Sequence, residues 1–337
     1  MKNVTIGDIA KAAGVSKTTV SRVLNNSGPV NSKTQKRILE LIEQYNYTPS
    51  SLARNLSRGE SSSIAVLVPN FSNPYFAEIL QEISSELSKR DLTMICFNSQ
   101  DSDQKDAKSL NLIKYYRVKG LIYTPANIHC SKEHSRWLRS MLSELNTPIV
   151  VMDRRIQGLK KADGVFYDDF HASYEATKAF IQRGHRKIAL SVTWKKESLL
   201  HKDREKGYLA ALKDFGIERR EEYIISGELG SVAYEEALRC LRLPDPPTAV
   251  LTANNDTTLG LLKAAQTLGL SVPGDLAHIG FERIEGIDFL DENRSYVDRS
   301  TKLMGQKVIE MLFNRFLTPN KPYEECILEP KLIIRNL

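Results

Sequence analysis

Val4 to Asn25 reads VTIGDIAKAAGVSKTTVSRVLN, and this stretch decides how the start of the chain folds. Thr5 can cap a helix, with Asp8 three residues on as the acid of a short capping box. The helix, Ile6 to Ala13, would bury Ile9, Ala10 and Ala13. Gly14 supplies a tight turn. Ser16 can cap a second helix, about Lys17 to Leu24. Val20, Val23 and Leu24 then face inward, and Lys17, Thr18, Ser21 and Arg22 face out. A third helix starts after Asn31 or Ser32 and runs to about Tyr45, with Ile38, Leu41, Ile42 and Tyr45 on its core stripe. Two short helices joined at a glycine, closed by a third, make a helix-turn-helix.

Five of the seven residues from Ser16 to Arg22 are Ser, Thr or Lys, and Arg22 ends the run. A helix lying in a DNA major groove needs such a face. Short hydroxyls let the backbone approach and bond phosphates, and a guanidinium spans the O6/N7 edge of guanine. Lys17 and Thr18 would point at bases and Arg22 at a guanine. Ser16, Thr19, Ser21, Asn25 and Thr34 would serve phosphates, and Thr5 joins these candidate DNA contacts. Charge agrees. Residues 1–60 hold nine Lys or Arg against four Asp or Glu, a net +5 of the +6 carried by all 337 residues. A polyanion partner for this module follows. The competing reading is a three-helix domain with a solvated polar face.

Next comes YTPSSLARNLSRGESSS, Tyr47 to Ser63. Pro49 suits a first helical turn, but two turns over Ser50–Ser57 are too short to be stable alone. Leu52 and Leu56 have no evident core to enter. Either the segment folds only on DNA, with Leu56 wedged between base steps in the minor groove, or it is a flexible linker with exposed leucines.

VTIGDIAKAAGVSKTTVSRVLN followed by NYTPSSLARNL resembles the DNA-binding head and hinge helix of the lactose-repressor (LacI) family. The match is dense from Val4 to Leu56 and looser beyond. The resemblance implies a cytoplasmic transcriptional regulator, a repressor, binding a pseudo-palindromic double-stranded DNA operator as a homodimer. By position, Lys17, Thr18 and Arg22 match base-reading positions and Leu56 the hinge leucine; Ala53 and Arg54 beside it join the DNA contacts. No leucine heptad follows Ile333–Leu337 to suggest a tetramer.

From Ser62 onward strands alternate with helices, which means parallel sheets in an α/β fold. Strands are expected at SSIAVLVP, LTMICFNS, GLIYTPA and PIVVMD. The pattern then restarts with GVFYDD, KIALSV, EYIISG, TAVLTAN and LAHIGFE. The expected fold is an all-α helix-turn-helix head plus an α/β periplasmic-binding-protein-like core of two parallel-sheet subdomains, the core type being what the resemblance implies. The domains are expected at 1–47 (head), 48–61 (hinge) and 62–337 (effector-binding and dimerisation core). Within the core, an N-subdomain takes about 62–161 and 293–320 and a C-subdomain about 162–292 and 321–337. Two such halves imply a ligand cleft at the C-terminal ends of their strands.

Catalysis finds no support: no Walker A, H-E-x-x-H or G-x-S-x-G motif occurs. Cys96, Cys130, Cys240 and Cys326 are dispersed, so no metal, disulfide or cofactor is expected. His185, in a G-H pair like the family's, reads as structural. No apolar run approaches membrane length, and MKNVTIGDIA lacks the apolar stretch of a secretory signal. The signal argument and the basic head set aside a free solute-binding protein.

Strand ends nominate the cleft residues. Tyr75 and Phe76 offer aromatic walls, Thr124 ends the third strand, and Asp153 and Arg154 end the fourth. The resemblance adds Arg204, a position that grips ligand oxygens. It also exposes departures. TANNDTTLG places Asn255 where the family has a ligand-binding aspartate. Leu229 stands where an aromatic often stacks. SYVDRS puts Arg299 and Ser300 in place of Gln and Pro, and IGFE ends in Glu282. These changes remove a negative group and add a positive one, so the expected effector is an anionic sugar derivative held by Arg154, Arg204 and Arg299. The alternatives are a neutral sugar or nucleoside, with the arginines paired to acids, or no small ligand and a phosphorylated protein co-regulator, as in the family's catabolite-control branch.

Overall fold

The computed structural model describes residues 4–25, 27–45, 47, 62–126, 132–192, 199–227, 230–284, 286 and 294–337. Two compact units divide the chain, Met1–Ser61 and Ser62–Leu337.

In the first unit, α1 (Ile6–Ala13) opens on a reciprocal capping box. Thr5 N–H donates to Asp8 Oδ2 at 2.8 Å, and Asp8 N–H donates to Thr5 Oγ1 at 3.3 Å. The chain leaves α1 through Gly14 at φ 69°, a left-handed turn that glycine adopts without strain. In α2 (Lys17–Asn25) the Thr19 amide donates to Ser16 Oγ at 3.2 Å. Asn31 caps α3 (Ser32–Gln44), accepting from Lys33 N–H at 2.9 Å. Ile9, Ala10, Val20, Val23 and Ile38 form the core, with Leu24 and Ile42 against it. Tyr45 does not join this core as expected. It follows the last turn of α3 and is 46% exposed, and Tyr47 packs instead. Ala53, Arg54, Leu56 and the whole of 48–61 lie outside the described residues, as do Leu229 and the side chain of Asn25.

The second unit holds two six-stranded sheets of matching order. The first is β11-β5-β4-β3-β1-β2, built from β1 (Ser63–Val68), β2 (Thr93–Asn98), β3 (Gly120–Tyr123), β4 (Ile149–Met152), β5 (Asp163–Tyr167) and β11 (Glu325–Leu328). The second is β12-β10-β9-β8-β6-β7, from β6 (Ile188–Val192), β7 (Ile224–Ser226), β8 (Ala249–Thr252), β9 (Ala277–Phe281), β10 (Ser295–Asp298) and β12 (Lys331–Ile333). All pairings are parallel except that of β10 with β12. β1 is buried from Ile64 to Val68, as a central parallel strand covered on both faces must be. The first lobe carries α4 (Pro74–Ser88), α5 (Asp103–Tyr116), α6 (Lys132–Ser143) and α11 (Thr301–Leu317). The second carries α7 (Asp169–Gln182), α8 (Leu199–Asp214), α9 (Gly230–Leu241) and α10 (Asn255–Leu268).

The lobe boundaries differ from those expected. GVFY is β5 and pairs with β4, so the first lobe continues past 161 to Tyr167. The stretch from Asp153 to Ala162 contains no helix. Parallel neighbours are usually joined through a helix, so this bare connection reads, wrongly, as the passage between lobes. SYVD is β10 in the second sheet, so that lobe runs to Asp298 and α11 alone makes the return. ECIL is β11 in the first sheet, so the final passage follows Leu328, not residue 320. Three crossovers join the lobes, at 168, 299–300 and 329–330.

Candidate DNA-reading face and inter-lobe cleft

On α2, burial of Val20 and Val23 leaves Lys17, Thr18 and Arg22 exposed. Ser16 is exposed too, while Thr19, Ser21 and Thr34 are half-buried. Ser16 and Thr19 hydroxyls lie 2.9 Å apart. Thr5 is exposed and holds Asp8 through its own hydroxyl at 2.7 Å. The helix therefore presents one long-armed cationic face over a small apolar base. A face of this kind can enter a groove and bond base edges and phosphates together.

In the core, the matching sheet orders bring equivalent strand ends face to face. Asp153 follows β4 and Glu282 follows β9. Their amides make the same bond, Asp153 N–H to Val165 O and Glu282 N–H to Val297 O, each at 3.0 Å. Both residues take left-handed backbone, φ 67° and 78°, which non-glycine residues adopt at a cost. Both carboxylates grip Arg299, in the crossover after β10. Its Nη1 donates to Asp153 Oδ1 at 2.9 Å, its Nη2 donates to Glu282 Oε1, and Asp169 Oδ2 lies at 3.8 Å. The guanidinium stacks 4.3 Å over the Tyr75 ring, and the Tyr75 hydroxyl donates to Asp153 at 3.0 Å.

Arg204 lies next to this group. Its Nε and Nη2 donate to Asp169 Oδ1 at 3.2 and 3.1 Å, its Nη1 donates to Ala253 O, and it stands 4.1 Å over Phe281. Arg154 donates to Asp101 Oδ1 at 2.6 Å and to Pro125 O at 3.0 Å. Phe76 packs edge-on to Tyr75 with ring centres 5.2 Å apart.

Proton affinities follow from this packing. Burial raises the Glu282 carboxyl above its ordinary value, and the pull of Arg299 offsets this only in part. Burial pushes Asp153 the same way, but Arg299, then Arg154 and Arg204, hold it below the usual range. Burial would lower Arg299; Tyr75, Asp153, Glu282 and Asp169 keep it well above its ordinary value.

The structure thus brings Tyr75, Phe76, Asp153, Arg154, Arg204 and Arg299 together, but not as a cationic cradle. Each arginine already has a carboxylate. Asp153, Asp169 and Glu282 outnumber Arg204 and Arg299 at the centre. Asp169 was missed by sequence reasoning, although the DD pair directly after β5 was its signal. The free cationic cradle expected from Arg154, Arg204 and Arg299 is therefore not formed, since each of the three is paired with a carboxylate.

The remaining candidates stand at the strand ends. Thr124, just after β3, is fully buried and its hydroxyl has no partner among the described residues. Asn255, at the start of α10, is 6% exposed, and both Oδ1 and Nδ2 lack partners. Its neighbour Asn254 caps the helix instead, accepting from Thr257 N–H at 2.9 Å. Ser99 and Asp106, at the ends of β2 and the start of α5, are likewise buried, and neither was foreseen. Tyr123 and the Ala126 amide donate to Asp106 at 2.6 and 2.9 Å. His185 is structural, with its Nδ1 2.9 Å from Thr248 Oγ1. No three metal-ligating side chains converge, and no helix is long and apolar enough to cross a membrane, among the described residues.

Residues 5–50 match the family described as bacterial regulatory proteins, lacI family, and 61–326 match periplasmic binding proteins and sugar binding domain of the LacI family. The chain is 32% identical over 335 residues to the HTH-type transcriptional repressor PurR of Mannheimia succiniciproducens, covering 98% of this chain and 97% of the relative. It is 32% identical over 282 residues to catabolite control protein A of Priestia megaterium, covering 83% and 82%. Among solved structures, a LacI-family transcriptional regulator from Silicibacter pomeroyi superposes with TM-score 0.80 at 25% identity, covering 98% of each chain. A lac repressor dimer bound to operator and the anti-inducer ONPF shares the fold, with TM-score 0.84 at 21% identity over 99% and 98% of the two chains.

Proposed function

The chain belongs to the lacI family of bacterial regulatory proteins and is a DNA-binding transcriptional repressor of that family; on that premise we propose that a small uncharged effector, held by hydrogen bonds in the inter-lobe cleft, controls it. The observation that carries this reading is Asn255. A buried amide with neither donor nor acceptor used costs free energy until something pairs with both. A sugar hydroxyl or the edge of a nucleobase offers that pairing. The arginines favour no anion, because their charge is already matched. Thr124 supplies a second unspent hydroxyl from the opposite lobe, and Tyr75 and Phe76 an aromatic wall.

On DNA, a homodimer presents two heads to a pseudo-palindromic operator. Lys17, Thr18 and Arg22 read base edges, and Ser16, Thr19, Ser21, Asn25 and Thr34 hold the backbone. Effector binding changes the angle between the lobes, and residues 48–61 carry that change to the heads. Ala53, Arg54 and Leu56 act there on the minor groove.

The test is a thermal-unfolding screen of the full chain against neutral sugars, nucleobases, sugar acids and sugar phosphates. A ligand that binds only the folded state stabilises it by about 2.7 kcal/mol at a hundred times its dissociation constant. A neutral compound should shift the transition, and Asn255→Ala should remove the shift. A response to acidic compounds alone would overturn the uncharged reading, and silence throughout would favour a protein co-regulator. Operator binding is read by recovering bound fragments from genomic DNA, which should share a two-fold symmetric site.

A further inference from the structure

Both long arms on the exposed face of α2 rest on glycines. The Lys17 side chain runs from the start of α2 back to the first turn of α1. Its Cε lies 3.2 Å and its Nζ 3.7 Å from the point where a Cβ on Gly7 would stand, and Thr5 Oγ1 lies 3.4 Å from the same point. Arg22 lies over Gly28, with Cδ 3.8 Å and Nε 3.9 Å from the corresponding point there. We propose that Gly7 is a positioning residue for DNA reading: the bare turn it leaves seats the Lys17 arm and so fixes which base edge the ammonium meets. The proposal rests on the reading that α2 enters the major groove with Lys17 facing the bases.

The other glycines are accounted for differently. Gly28 has a backbone φ of 95°, and a Cβ there would meet Arg22 only at ordinary contact distance. Gly207, Gly260 and Gly305, inside α8, α10 and α11, stand where helices cross closely, so a Cβ would strike Phe170 O, the Ala233 Cβ and the Glu82 Cβ. Gly7 keeps ordinary helical backbone, in which glycine is less stable than alanine. Among the described residues, the atom nearest its missing Cβ is the end of the Lys17 arm. A contact of 3.2 Å is tighter than a Cβ normally makes, so even alanine displaces the arm, and a longer side chain takes its place.

What the seat supplies is order. A lysine carries its charge on a flexible four-carbon stem, and fixing that stem on binding costs rotamer entropy. An arm already laid against α1 has less freedom to lose. An ammonium donates three hydrogen bonds and accepts none, so a seated Lys17 selects an acceptor edge, the O6/N7 edge of guanine. Each half of a two-fold operator then carries a guanine read by Lys17, beside the one assigned to Arg22.

The test selects sites from a randomised DNA library with the full chain as parent, Lys17→Ala, Gly7→Ala and Gly7→Leu, and measures them by fluorescence anisotropy. Lys17→Ala should lose one guanine preference in each half-site. Gly7→Leu should weaken the same preference at least fivefold and Gly7→Ala by less, with the Arg22 guanine kept in both. Thermal unfolding should show Gly7→Ala at least as stable as the parent, since alanine is the better helix former, so lost reading there is not lost folding. In the Lys17→Ala background, Gly7→Leu should change nothing further, as expected of one residue acting through the other. Three results would overturn the proposal while leaving Lys17 a base reader: the Lys17 guanine kept at full strength in both Gly7 variants, a full Gly7→Leu effect without Lys17, or an equal loss on all DNA in the Gly7 variants. A Lys17→Ala variant that keeps every base preference would instead overturn the reading beneath it, and the seat with it.

Discussion

Arg299 Nη1 lies 2.9 Å from Asp153 Oδ1, with both side chains 2% exposed, and the pair joins the crossover after β10 to the end of β4 in the other lobe. Glu282 grips the same guanidinium from the second lobe. One buried arginine thus links the two lobes at equivalent strand ends.

Replacing Arg299 by Gln removes the cation bonded to two buried carboxylates. Breaking one side of a buried ion pair typically costs about 3 to 5 kcal/mol, and chemical denaturation at neutral pH should show a loss of that size. The pH dependence gives a second check. Without Arg299 the largest charge opposing burial is lost from both carboxylates, leaving Arg154 and Arg204 beside Asp153 and Arg204 beside Glu282, so both folded-state pKa values rise relative to the parent. Relative to the parent, stability from a carboxyl raised in this way is kept at low pH and lost as pH rises through the folded pKa. The deficit of Arg299→Gln should therefore shrink on acidification.

Asn255 and Thr124 should behave in the opposite sense. Their polar atoms are buried without partners, so truncation removes a desolvation cost and no native bond. Asn255→Ala and Thr124→Ala should leave the melting temperature unchanged or raised. Affinity for an uncharged effector should fall about tenfold for each lost hydrogen bond of about 1.4 kcal/mol. A fall in stability matching the fall in affinity would make these residues structural.

Local patterns were legible in the sequence because they depend on neighbours along the chain. The capping pair Thr5–Asp8, the turn at Gly14, the inward Val20 and Val23 and the alternation of strands and helices all belong to this class. The site was legible as a set of positions but not as a charge state. Arg204 and Arg299 looked like free cations because Asp169 and Glu282 meet them only once α7 packs on α8 and β9 pairs with β10, and sheet order decides which strand ends meet. The lobe boundary failed for the same reason. Nothing local distinguishes the bare connection from Asp153 to Ala162 from a passage between lobes until β5 is seen paired to β4.

Asp106 offers a titration near physiological pH. Burial raises its carboxyl to about 6, against the bonds from Tyr123 and the Ala126 amide that pull it down. The folded state thus holds the proton more tightly than the unfolded chain, so this group favours folding below about pH 4. That contribution disappears as pH rises through about 6. The parent should lose up to about 3 kcal/mol relative to Asp106→Asn between those limits. Urea denaturation of both proteins across that range checks the slope; parallel curves would place the Asp106 carboxyl at an ordinary pKa.

The head separates stability from reading. Ser16 accepts from the Thr19 amide at 3.2 Å at the start of α2, so Ser16→Ala should cost about 1 kcal/mol of head stability. With the phosphate contact proposed for Ser16, it should weaken binding to all DNA alike. Arg22 is exposed and outside the apolar core, so Arg22→Ala should leave the melting transition in place. A bidentate guanine contact contributes about 1 to 3 kcal/mol of discrimination. Fluorescence anisotropy should therefore show Arg22→Ala losing at least fivefold on the selected site and little on random DNA. Equal losses on both would reduce Arg22 to a phosphate contact and move base reading to Lys17 and Thr18.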